Sequence, residues 1–288
     1  MRAPDVTHRT TRSQDGTAIA YQVCGHGPVV VLANGFCTPY HTYRHIYRFF
    51  EQGYRVISWD YRGQFRSGPA ADRRSYGFEH QIQDLEQVLA AEGVESALFI
   101  GWSMGVELLL EYYRIHPEQF VAFVALAGTP RRPYDTLGDW PPLLYLMPAL
   151  LPLGTRIVSR AAPLMHLFMA GLNRLPGPDI ISVFKRVGVD DMAVRVGIMA
   201  PPLDLDVVRD LVVDYGTLDW RAVARTTRFL AVHDATHLLP RIQVPTLVVT
   251  GTRDWITPPR LARVLADNIP DAELVLLEGA THYAAVEF

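Results

Sequence analysis

Apolar residues fall into two alternating rhythms along most of this chain. Short continuous runs framed by glycine, proline or charge occur at Val29–Leu32, in "YRVISWD" (54–60), "ALFIGW" (97–102), "FVAFVALAG" (120–128), "VPTLVVTG" (244–251) and "AELVLLEG" (272–279). Runs this short suit strands buried on both faces. Between them lie stretches with helical spacing. Residues 41–52 read as a helix. Residues 78–93 place Ile82, Leu85, Val88 and Leu89 on one face and stop at Gly93. Another helix runs from the end of "ALFIGW" to about Ile115, before Pro117, and a further one spans 258–268. Near the start, residues 6–24 read as two strands joined by a hairpin at Asp15-Gly16.

Strand and helix in alternation predict an α/β fold: a mostly parallel sheet, of the eight-stranded type, flanked by helices on both faces. The rhythm stops after Gly128. Residues 131–235 show no clear buried strand and hold many prolines and several helix-like pieces. The predicted organisation is therefore a core of residues 1–130 and 236–288, interrupted by a helical cap or lid at 131–235. Such an insertion belongs at the edge of the sheet where strand C-termini open.

Composition narrows the class. The 288 residues are 49% hydrophobic and 20% charged, a globular balance, and the net charge of -3 gives no electrostatic case for nucleic-acid binding. Lys185 is the single lysine, so lysine-nucleophile chemistry has almost no support. Two cysteines, Cys24 and Cys37, make no disulfide framework and no zinc spacing. The N-terminal stretch lacks an apolar segment of the signal-peptide kind. The most apolar region, around 140–172, is broken by Pro148, Pro152, Arg156, Arg160 and Pro163. The expectation is a soluble cytoplasmic protein whose oligomeric state the sequence leaves open.

The candidate chemistry starts at "GWSMG", Gly101 to Gly105, where a strand pattern meets a helix pattern. Serine in a G-x-S-x-G turn of that kind stands exposed above the sheet, and small flanking residues let strand and helix pass closely. The bland reading is a turn serine that caps the next helix. A nucleophilic serine needs a base held by an acid. Asp254 follows the 246–250 strand and His282 follows the 273–278 strand, both at the sheet edge that carries Ser103. Asp254 could equally cap a helix, and ten histidines are available.

Taken with "GHGPVVVLANGF", "DYRGQFRSG", "GTRDWITP" and "GATHY", the elbow gives a chain that resembles the α/β-hydrolase fold superfamily, in particular its capped serine esterase and lipase-like members. The resemblance implies Ser103 as nucleophile, His282 as base and Asp254 as acid. It implies an oxyanion hole from the backbone N–H groups of Phe36 and Met104, and no metal or organic cofactor. Asn34, Gly35, Trp102 and Trp255 are the pocket candidates. This sequence departs from the family pattern in four places. Asn34 stands where the oxyanion turn usually has histidine. Phe65 and Val106 replace glycines. The chain stops six residues after His282, where a final helix usually follows, which predicts exposed sheet surface and a loosened His282.

Other features weigh less. Gly25-x-Gly27 lacks the third glycine of a dinucleotide turn. His41 and His45, like His233 and His237, share helical spacing without H-E-x-x-H, and read as surface or pocket-rim residues. Asp135 is a fallback acid, and Cys37 reads as a small packed side chain. The first half of the insertion, 131–186, combines basic residues with leucine and methionine. It packs its own helices, roofs a greasy pocket, or rests weakly on anionic lipid. The function expected is hydrolysis of a small carboxylic ester with an apolar acyl or alcohol part. The alternatives are perhydrolase/haloperoxidase-like or C–C bond hydrolysis on the same triad, or a non-catalytic ligand-binding homologue.

Overall fold

A computed structural model describes residues 6–132, 200 and 205–287, together with scattered helical positions between 153 and 171. Eight strands form one sheet: β1 (Thr7–Arg12), β2 (Ala18–Gly25), β3 (Val29–Ala33), β4 (Arg55–Trp59), β5 (Ala97–Trp102), β6 (Phe120–Leu126), β7 (Thr246–Gly251) and β8 (Glu273–Leu277). Their order is β1-β2-β4-β3-β5-β6-β7-β8. β2 pairs antiparallel with β1 and β4, and every other pairing is parallel. Each parallel crossover carries a covering element, as parallel connections require.

The continuous apolar runs are explained by burial on two faces. In β3, Val31 and Ala33 join one core while Val30 and Leu32 join the other. Period-2 alternation therefore feeds both layers, and both need apolar side chains. One layer is built by α2 (Phe78–Ala91) and α3 (Met104–Ile115), with Leu85, Val88, Leu108 and Leu109 against the sheet. The other holds Tyr47 of α1 (Arg44–Phe50) beside Tyr43, Ile100 and Trp102. Each such side chain contributes roughly 1.5–3 kcal/mol on burial.

After β6 the described residues of the 131–235 stretch include no strand. They include α4 (Leu205–Tyr215) and α5 (Trp220–Leu230). Asp219 caps α5 by accepting the Arg221 N–H at 2.9 Å. Ala222 of α5 packs in a small cluster with Ala70 and Tyr76. Asp135 and most of the leucine- and methionine-rich stretch lie outside the described residues; of that stretch Leu153, Leu164 and Leu167 are described, and all three are exposed. Two helices complete the chain: α6 (Pro259–Asn268) and the four-residue α7 (Ala284–Glu287). No helix among the described residues is long and apolar enough to cross a membrane.

One buried ion cluster fixes the loop after β4. Arg62 is fully buried, and its guanidinium donates to Asp84 at 2.5 and 2.8 Å, to Asp15 at 2.9 Å, to Ser13 Oγ, and to the carbonyls of Ser75 and His80. Asp84 comes from α2 and Asp15 from the first hairpin, so one side chain ties three segments together. Phe65, in the same loop, takes the left-handed backbone, with φ +47.

Candidate active site

The site is built where β5, β6, β7 and β8 end. Between β5 and α3 the backbone turns at Ser103, with φ 55 and ψ -117, a conformation that an L-residue holds only when its surroundings enforce it. The glycines explain how. A Cβ on Gly105 would lie 2.2 Å from the Ala33 carbonyl oxygen, and one on Gly101 would lie 2.7 Å from the Gly105 carbonyl carbon. Helix and strand thus pass closer than any side chain allows, and the serine is pushed out of the turn. Ser103 N–H donates to Leu126 O, and Val106 N–H donates to Ser103 O, both at 3.0 Å. Val106, where the family has glycine, is accommodated by Gly128: a Cβ there would meet Val106 Cγ2 at 2.3 Å.

The three loop residues meet. His282 Nε2 lies 3.0 Å from Ser103 Oγ, and His282 Nδ1 lies 3.0 Å from Asp254 Oδ2. Asp254 is buried, and its Oδ1 accepts the backbone N–H groups of Ile256 (2.9 Å) and Thr257 (2.8 Å). Its other oxygen is left for His282 and for the Thr257 hydroxyl, at 2.8 Å. Thr257 was not among the sequence candidates. Its Oγ1 also sits 2.8 Å from Ala127 O and 3.1 Å from His282 Nδ1. One hydroxyl hydrogen serves two acceptors here, while the oxygen can accept from the imidazole. The signal was the spacing Asp-x-x-Thr, in which the aspartate turns the chain back on itself.

The histidine loop is not loose. Trp102 Nε1 donates to His282 O at 3.0 Å. Glu287 of α7 accepts the Thr281 N–H at 2.9 Å and the Thr281 hydroxyl at 2.6 Å. The expected loosening of His282 is therefore answered by a short helical turn and an indole.

The remaining candidates divide. A cavity of about 280 Å³ opens over Ser103 and His282 and is lined by Gly35, Phe36, Trp102 and Met104 as well. Met104 N–H sits at the N-terminus of α3, where unpaired donors and the helix dipole favour negative charge. The turn that carries Phe36 is pinned by Thr38, whose hydroxyl donates to Gly35 O at 2.7 Å. It is also pinned by Gln64 Oε1, which accepts the Cys37 N–H at 3.1 Å. Asn34 does not line the cavity. It is buried, its side-chain amide donates to Trp59 O at 2.7 Å, and its backbone carbonyl accepts the Tyr61 hydroxyl at 2.6 Å. It braces the turn from behind, between β3 and β4. Trp255 is half-buried outside the lining, because the Asp254 turn presents Ile256 and Thr257 to the cavity instead. Cys37 takes φ 55, and burial pushes its thiol up to about 12, which suits a packed side chain.

Sequence reasoning also missed a charged cluster on the cavity wall. Glu107 of α3 lines the cavity and is buried. His233, expected at the surface or rim, instead bridges Glu107 (Nδ1–Oε2, 2.7 Å) and Glu111 (Nε2–Oε1, 3.0 Å) under the ring of Phe78. Two carboxylates raise His233 to about 9 against its partial burial. Burial pushes Glu107 up to about 7 against the pull of His233. His41 pairs with Asp214 at 2.7 Å.

Comparison with known proteins agrees with this architecture. A family model described as alpha/beta hydrolase fold matches residues 28–288. The proline iminopeptidase PfmaB of Pestalotiopsis fici is 25% identical over 279 residues, which cover 95% of this chain and 92% of that protein. The pimeloyl-[acyl-carrier protein] methyl ester esterase of Neisseria meningitidis is 28% identical over 218 residues, 74% of each chain. A hydrolase from Pseudomonas aeruginosa PA01, known by crystal structure, superposes with a TM-score of 0.71 at 22% identity, covering 100% of this chain and 95% of its own.

Proposed function

The chain belongs to the alpha/beta hydrolase fold family, and from that premise we propose that it is a serine hydrolase that cleaves carboxylic esters through Ser103, His282 and Asp254. The observation that carries this reading is the imidazole at 282, which has one nitrogen 3.0 Å from the serine hydroxyl and the other 3.0 Å from a buried carboxylate. In the reaction His282 Nε2 takes the Ser103 proton as Oγ attacks the ester carbonyl. Asp254 holds Nδ1–H and stabilises the imidazolium that forms. The Phe36 and Met104 N–H groups bind the tetrahedral oxyanion, each worth roughly 3 kcal/mol. His282 then protonates the departing alkoxide, and water releases the acid by the same steps in reverse order.

An apolar acyl or alcohol moiety fits a cavity walled by Phe36, Trp102, Met104, Leu230, Ile256 and Tyr283. The 131–235 stretch is proposed as the lid that roofs it, and its basic, apolar first half as a weak contact for an anionic membrane surface. The relatives named above include an esterase of an acyl-carrier methyl ester, which supports ester chemistry in this family. The test is labelling by a fluorophosphonate probe, followed by a screen of p-nitrophenyl esters from short to long acyl chains. Wild type should label and hydrolyse, and Ser103→Ala should do neither. A folded wild type that stays unlabelled defeats the proposal in favour of a ligand-binding homologue.

A further inference from the structure

The wall of the cavity holds one polar atom that neither the fold nor the proposed triad uses. Glu107 has a side chain only 1% exposed, and a single one of its oxygens is occupied, by His233 at 2.7 Å. Oε1 has no hydrogen bond among the described residues, and Glu107 lines the cavity. The other polar linings are satisfied internally. The hydroxyls of Thr38, Thr129 and Thr227 donate to the carbonyls of Gly35, Arg131 and Val223 at 2.7, 3.0 and 2.9 Å. Oε1 is not sealed in the way that the unpartnered Asn34 Oδ1 and Thr250 Oγ1 are, so a donor on a ligand in the cavity can reach it.

The charge balance says which donor. His233 faces acceptors on both ring nitrogens, so it bonds both only as an imidazolium. Glu107, His233 and Glu111 together then carry one net negative charge, which Arg114 offsets at Glu111 on the solvent side, away from Glu107. Asp234, on the same loop as His233, adds to the negative field at Glu107. The nearby Arg131 and Arg132 act on Asp234. Arg114 is paired with Glu111 on the solvent side at 2.9 Å. Among the described residues no cation bonds Oε1. Ser103 precedes the first residue of α3 and Glu107 lies in its first turn, and both line the same cavity.

We propose that Glu107 Oε1 is the specificity-determining acceptor for a protonated amine at the far end of the substrate's acyl chain. The ester would thus be an ω-amino alkanoate: an apolar stem between Ser103 and a cationic head. This rests on the serine-esterase reading of the same site.

The test compares kcat/KM for ethyl ω-amino alkanoates with that for ethyl alkanoates of equal length, in wild type and in Glu107→Gln, with fluorophosphonate labelling as a separate check on Ser103. Glutamine keeps an acceptor for His233 and removes the charge. At one chain length wild type should favour the amine by about tenfold or more. That ratio, in which the ionisation of His282 cancels, should grow between about pH 6 and about pH 8 as Glu107 ionises. Glu107→Gln should bring it near one while labelling persists. Labelled wild type with no preference for the amine at any length overturns the assignment and leaves the esterase reading intact. An equal preference in Glu107→Gln, or a stronger one for ω-hydroxy esters, overturns it too. An unlabelled wild type defeats the esterase reading itself. Should Glu107→Gln fail to fold, the wild-type ratio and its pH profile decide.

Discussion

Two buried charge clusters sit on the same layer of the molecule and differ in one respect. Around Arg62 every guanidinium N–H has an acceptor, drawn from Asp84, Asp15, Ser13 and two carbonyls, and nothing is left to offer a ligand. Around Glu107 a carboxylate equally removed from water bonds, among the described residues, through one oxygen, and its side chain lines the cavity. Burial and charge are common to both. The open valence is what separates an anchor from a site, and the Ser103 hydroxyl with its imidazole belongs on the same side as Glu107.

That contrast can be broken by substitution. The largest effect is expected on the open side: Ser103→Ala should lower kcat on the order of 10⁶-fold with the melting temperature unchanged, read by ester turnover and thermal denaturation. On the closed side, Arg62→Met strands Asp84 in a dry interior and leaves Asp15, which reaches solvent, without its partner. Loss of the Asp84 partner should cost about 3–5 kcal/mol in urea unfolding while the folded fraction keeps its kcat/KM. A large loss of specific activity in that folded fraction would erase the distinction.

Smaller changes sharpen it. Thr257→Val removes a hydroxyl from Asp254 and His282 without touching Ser103, and kcat/KM should fall about tenfold with KM nearly constant, because orientation and not binding is lost. Thr257→Ser should recover most of that rate. The smallest effect is on stability against pH. His233 is raised in the folded state from 6.5 to about 9, so its stabilising contribution is full below 6.5 and disappears as pH rises through about 9. The melting temperature should decline across that window in wild type. His233→Gln should flatten the decline.

The parts of the molecule that depend on local pattern were legible in the sequence. Strands such as Val29–Ala33 announce themselves because both faces are covered, and α2 stops where Gly93 permits a left-handed turn, φ +60. Ser103, Asp254 and His282 could be grouped because each follows a strand at the same sheet edge. What stayed hidden depends on partners far along the chain. Glu107 visibly interrupts an apolar helix, yet its histidine lies 126 positions away. Asn34 looked like a pocket residue because polar groups at a strand end often are, but its amide is taken by the Trp59 carbonyl. Gln64 gave no local sign that it would hold the Cys37 N–H.

The Thr257 hydroxyl has a mechanical meaning. It touches the Ala127 carbonyl, and Ala127 itself takes φ 43 where β6 gives way to the long insertion. The imidazole at 282 is therefore one side chain removed from the root of that insertion. In the proposed reading, a displacement of Ala127 passes through the Thr257 hydroxyl to the alignment of the ring at 282.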